Sequence, residues 1–89
     1  MLIERESGVV PTLSRNGHLE LFRPATGARF RCCPVGAAVW IALCQHQGRP
    51  EPAAEMLAAI WQADPRRTHG DVHFWAVEFS DAGLVRIEP

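Results

Sequence analysis

The sequence predicts an α+β fold of the winged helix-turn-helix kind, with a three-stranded antiparallel sheet followed by a three-helix bundle. Two observations carry that prediction. Apolar and polar residues alternate with a period near two from residue 9 to residue 33, and at Pro34 the period lengthens to about 3.6. Breakers rich in Gly, Pro, Asn and Asp cut each half into pieces of strand or helix length. With 89 residues the chain has room for one small domain, expected to span 1–89 with its core at about 9–87.

Val9-Val10-Pro11-Thr12-Leu13 is rich in β formers, but Pro11 cannot donate to a ladder, so an edge or irregular strand is expected. Asn16-Gly17 tolerates positive φ at both positions and predicts a tight hairpin into Leu19-Glu20-Leu21-Phe22. After the breaker Arg23-Pro24-Ala25-Thr26-Gly27, the third strand has Arg29 and Arg31 on one face and Phe30 and Cys32 on the other.

Pro34 opens the first helix, predicted over 34–44, with Val35, Ala38, Val39, Ala42 and Leu43 at helical spacing. Pro52 opens the second, whose Ala53, Met56, Leu57, Ile60 and Trp61 form an apolar stripe. Thr68, followed three residues later by Asp71, resembles a weak capping box before a third helix with Val72, Trp75, Ala76 and Phe79 inward. Gly83 suits a left-handed helix end, and Leu84-Val85-Arg86-Ile87 is expected to return extended across the core.

Composition narrows the function. Nine basic residues, all arginine, stand against ten acidic ones for a net charge of -1, far from the balance of a phosphate-backbone binder. The third helix, taken from after Thr68, carries Asp71, Glu78 and Asp81 and no basic residue, which opposes a winged-helix DNA-binding regulator despite Arg66-Arg67 and Arg29/Arg31. So small a chain leaves little room for a preorganised catalytic cleft. Cys32, Cys33 and Cys44 are odd in number, with two adjacent, as suits a reducing compartment. The N-terminal Met1-Leu2-Ile3-Glu4-Arg5-Glu6 lacks the order of a signal peptide, and no apolar run approaches the roughly 20 residues that span a bilayer, so a cytoplasmic protein away from membranes is expected.

His69 and His73, four apart, could meet one metal with Cys32 and Cys33, but this is no recognised ligand spacing. Cys33, His69 and Asp71 supply the residue types of a thiol triad without a nucleophile motif. The third helix offers more. Phe74 and Val77 lie off its inward stripe and neighbour one another. Either the helix is wedged between sheet and helices, or its surface forms one wall of a groove. If the strand at 28–33 is a sheet edge, that edge is the other wall, open to an added peptide strand. Such an edge also permits pairing with a second copy, so both a monomer and a peptide-free dimer stay open.

The run Thr26-Gly27-Ala28-Arg29-Phe30-Arg31-Cys32-Cys33-Pro34-Val35-Gly36-Ala37-Ala38-Val39-Trp40 resembles the strand-to-helix segment of PqqD-like proteins, the recognition elements for precursors of ribosomally synthesised, modified peptides. Asp71-Val72, Trp75, Glu78-Phe79 and Ala82-Gly83-Leu84-Val85 resemble the family's closing pattern, extending the likeness over about 9–87. Departures are Cys32 for a usual leucine, Cys33 for an asparagine or serine cap, and Val35 for a threonine or small residue. Cys33 is thereby expected to cap poorly, since a thiol accepts weakly.

The segment 27–40 looks most like the small discrete members of lasso-peptide pathways. The resemblance implies that a precursor's leader peptide binds as a fourth antiparallel strand, between a strand wall of Arg29, Phe30, Arg31 and Cys32 and a helix wall of Asp71, Phe74, Trp75, Val77 and Glu78. Arg31 or Glu78 would select leader charges. It further implies a non-catalytic peptide chaperone, without cofactor or metal, that works with a leader peptidase and a macrolactam cyclase. A PqqD-type chaperone in another modified-peptide pathway is the neighbouring alternative.

Overall fold

The chain runs β1 (Leu2–Arg5), β2 (Val10–Leu13), β3 (Leu19–Arg23), β4 (Ala28–Cys32), α1 (Pro34–Gln45), α2 (Pro50–Trp61), α3 (Pro65–Asp81) and β5 (Val85–Glu88). The computed structural model describes all residues, Met1–Pro89. Strands β2, β3 and β4 form the expected antiparallel meander in that order, with β2 and β4 as edges. The α+β architecture is therefore as predicted, with an addition: β1 pairs antiparallel with β5 in a second sheet, Leu2 opposite Glu88 and Arg5 opposite Val85. Ile3, which the sequence reading left outside the core, is 4% exposed and belongs to it.

The first hairpin is looser than Asn16-Gly17 suggested. Gly17 has φ 83°, but Asn16 is not left-handed, and a five-residue loop closes through a hydrogen bond from Ser14 N to His18 O of 2.8 Å. The Asn16 side chain accepts from the Ser14 hydroxyl and the His18 amide, stabilising a local turn in place of the two-residue type. Arg23, at the end of β3, ties the two sheets together: it pairs with Glu6 at 3.5 Å and donates to the Gly83 carbonyl at 3.3 Å. Arg86 on β5 in turn meets Glu4 and Glu6, each at 2.9 Å.

Cys33 caps α1 in an extended conformation with no side-chain cap bond, as its chemistry predicts. The buried face of α1 is Gly36, Ala37, Val39, Trp40, Ala42 and Leu43; Val35 is 46% exposed, contrary to the predicted stripe. Helix α2 begins at Pro50, not Pro52, and buries Ala53, Ala54, Leu57 and Ala58. Ile60 and Trp61, assigned to its core stripe from sequence, are 65% and 36% exposed. The buried face is centred on Ala53, Ala54, Leu57 and Ala58, whose alanines let the helix lie close to its neighbours, and Ile60 and Trp61 fall beyond its edge.

Helix α3 starts earlier than the proposed Thr68/Asp71 box. Its cap is Asp64, whose carboxylate accepts from Arg66 N at 3.0 Å, with Pro65 at the first helical position. Thr68 lies inside the first turn, buried, its hydroxyl donating to Asp64 O at 3.1 Å. The helix consequently includes Arg66 and Arg67, which the sequence reading placed before it. We expect Asp64→Ala to cost about 1 kcal/mol, the usual worth of an N-cap, read from the midpoint of chemical denaturation. Unchanged stability would mean that Pro65 alone fixes this helix end. Val72, Ala76 and Phe79 are fully buried as predicted, and Leu21, Val39 and Leu84 meet them at the centre of the core. No helix is long and apolar enough to cross a membrane.

Candidate functional site: an open strand edge beside an aromatic helix

Strand β4 pairs with β3 on one side only, Leu19 opposite Cys32, Leu21 opposite Phe30 and Arg23 opposite Ala28. Its other edge has no strand partner, so it presents main-chain donors and acceptors in a row. Along it, side chains alternate as read from the sequence: Phe30 half-buried and Cys32 buried on the inner face, Arg29 and Arg31 exposed on the outer.

Helix α3 faces this edge through aromatic side chains. The Phe30 and Phe79 rings meet edge-on at 5.7 Å, Phe79 meets Trp40 at 5.2 Å and Trp75 at 6.0 Å, and Phe74 meets Trp75 edge-on at 5.5 Å. Trp75 also lies over α1. A Cβ built on Gly36 would stand 2.9 Å from both its ring and the Cys32 Cβ, so only glycine at this position lets the tryptophan settle against the end of β4. Phe79 is thus a hub under the site, and Phe30 and Trp75 are its two half-buried walls.

The structure brings most of the sequence-predicted residues together. Asp71 and Glu78, four before and three after Trp75, share its flank and are half-buried. Phe74 forms the shoulder of that flank and is 56% exposed. Val77, three positions past Phe74 and about 60° from it around the helix, is 38% exposed and continues that shoulder.

On the outer face, Arg29 donates to Glu20 at 3.0 Å and lies 4.2 Å from the Phe22 ring centre. Arg31 makes no ion pair. Burial pushes the Cys32 thiol up to about 11, the neighbouring Cys33 adding to the rise. The thiol is held 3.5 Å from the Leu19 carbonyl and stays protonated at neutral pH, filling apolar space. No three His, Cys, Asp or Glu side chains gather as a metal would need, His69, His73, Cys32 and Cys33 included.

Two concavities, of about 380 and 430 Å³, lie elsewhere, sharing Arg5, Trp40 and Cys44 and lined by no residue of β4 or α3. The depth of a pocket therefore does not mark the β4–α3 site. What distinguishes it is an unsatisfied backbone edge beside exposed aromatic surface. Sequence reasoning found the strand and its two faces through alternation and took the open edge as a condition, but missed Gly36 and the hub role of Phe79, since both depend on contacts between distant elements.

No protein-family model matches the chain, and no curated protein matches it. Solved structures do. TbiB1 in complex with the TbiA(beta) leader peptide superposes with a TM-score of 0.83 at 20% identity, covering 97% of this chain and 98% of that one. A lasso peptide synthetase B1 complexed with the leader peptide gives a TM-score of 0.81 at 11% identity, covering 98% and 100%. Over nearly its whole length, then, this chain has the fold of the lasso peptide synthetase B1 structure and of TbiB1.

Proposed function

We propose that the protein binds the leader region of a ribosomally synthesised precursor peptide as an added antiparallel strand on β4, against α3, and delivers it to a leader peptidase and a macrolactam cyclase in lasso-peptide biosynthesis. The observation that carries this reading is the unpartnered edge of β4 beside Phe74 and Trp75, in a fold shared with two solved structures that each hold a leader peptide. Main-chain bonds to 28–32 supply affinity, and side chains at alternate positions supply selectivity.

Inward peptide residues meet Phe30, Cys32, Phe74 and Trp75, with Asp71 and Glu78 offering carboxylates to a basic or amide donor. Outward residues pass Arg29 and Arg31. Val77, one turn on from Phe74, extends the exposed apolar shoulder of this wall. The protein contributes binding and orientation, and the bond-breaking and bond-forming steps belong to its partner enzymes.

The test is a titration of labelled leader peptide, from the precursor encoded nearest the gene, followed by fluorescence anisotropy. Saturable binding that the core portion alone does not reproduce supports the reading. Phe74→Asp should weaken binding by about 2 kcal/mol, roughly 30-fold, with unchanged circular dichroism because Phe74 is exposed. Absence of leader binding, with salt-sensitive binding of duplex DNA through Arg66 and Arg67 instead, would overturn it.

A further inference from the structure

An open edge strand invites a second copy of the same chain as readily as a foreign peptide, and the register of the β2–β3–β4 sheet bears on which one β4 accepts. Two edges related by a two-fold axis pair antiparallel with their outer faces on the same side. Residues that pair then sum to an even number. For the five residues of β4, three such registers retain three or more pairs. Centred on Phe30, Arg29 of each copy faces Arg31 of the other. Centred on Arg31 or on Arg29, that arginine faces its own counterpart.

Every one of these registers places guanidinium against guanidinium, and like charges directly opposite destabilise a sheet. The nearest compensation on this face is Glu20, already occupied by Arg29 at 3.0 Å. The other outward residues are Val10 and Thr12 on β2 and Phe22 on β3, all uncharged. Arg31 stands opposite Glu20 in the register but makes no ion pair with it, and its side chain remains exposed.

We infer that Arg29 and Arg31 act as a charge filter on the β4 edge: they keep two copies of the chain from pairing there and admit an extended peptide bearing carboxylates at the outward positions opposite them. The filter names the chemistry of the ligand in the strand-addition reading and rests on that reading, while the exclusion of a second copy follows from the sheet register alone. The peptide-free chain accordingly does not pair through β4, the edge on which the sequence left a dimer open.

Charge reversal tests both halves. By sedimentation equilibrium without peptide, the wild type should be monomeric. Arg31→Glu turns the Phe30-centred register into two complementary Arg29–Glu pairs and should dimerise. Adding Arg29→Glu restores like charges and should return the chain to monomer. Circular dichroism checks the fold of each variant, and Arg31→Gln, which removes charge without reversing it, should stay nearer the wild type.

In the second arm, the leader peptide is compared with a version whose outward acidic residues in the pairing segment are lysines. The wild type should prefer the acidic version about tenfold, the worth of two cross-strand ion pairs, and Arg31→Glu should narrow or invert that preference. A wild-type dimer blocked by peptide, an Arg31→Glu chain that stays monomeric, or binding blind to the lysine exchange would overturn the filter. Dimerisation of Arg31→Glu together with no peptide binding by any form would leave the barrier to self-pairing standing and sink the strand-addition reading.

Discussion

Phe79→Ala should lower stability by about 3–5 kcal/mol, as truncation of a fully buried phenylalanine does, and depress Tm by more than about 12 °C in a domain of this size. The side chain has no solvent exposure, and its ring meets three others, Phe30, Trp40 and Trp75, at 5.7, 5.2 and 6.0 Å. These come from β4, α1 and α3, so the cavity would open where the strand wall and the helix wall of the site share their support. Thermal and guanidinium denaturation would measure the loss. Leader affinity, measured where the variant is still folded, should fall as well, because Phe30 and Trp75 lose the surface that fixes their rotamers. A drop of less than about 1 kcal/mol would mean that the surroundings collapse into the space.

Gly48→Ala is the second large effect, and it acts at the opposite end of α1. Gly48 has φ +79°, and a Cβ there would come within 2.1 Å of the Ile3 carbonyl oxygen. Neither group can turn aside, since both are backbone. The left-handed conformation alone costs a non-glycine residue about 1–2 kcal/mol. Relief of the clash requires β1 to move, which sacrifices the 2.8 Å bond from Ile3 N to Gly48 O and the burial of Ile3, for a total of at least about 3 kcal/mol. Gly27→Ala supplies the control, because Gly27 also has positive φ, at +74°, but nothing stands within 4 Å of its Cβ position. Hydrogen exchange should show β1 amides losing protection in Gly48→Ala and keeping it in Gly27→Ala. Equal behaviour of the two would mean that the turn and not the contact with β1 sets the cost.

The parts of the fold written in local pattern were legible. Alternation around Arg29, Phe30 and Arg31 identified β4 and the faces of its side chains, and Pro11 placed β2 at an edge. Helical spacing put Phe74 outside the core, where it is. Two helix details went astray for local reasons. The start of α3 was placed at the Thr68/Asp71 box although Asp64 followed by Pro65, an acidic cap before a proline, starts it earlier, and α2 was oriented by its largest apolar residues although its alanines face inward. Strand β1 was missed because four residues with two charges carry too little alternation, and its partner lies more than eighty positions away. The site divides the same way. Its strand and the faces of that strand follow from period and turn signals, whereas the free edge of β4 and the seat of Trp75 over Gly36 are visible only once the strands are paired and α3 is placed against β4.

The pairing of β1 with β5 also sets an order of events in time. Leu2 and Glu88 meet across nearly the whole chain, a closure that entropy makes slow and that local contacts cannot assist. The meander and the helices are held by contacts closer in sequence, so this ribbon assembles last. In the finished molecule its opening would uncover Ile3 and Val85, the core residues it contributes, so the two ends of the chain act as a latch on the core.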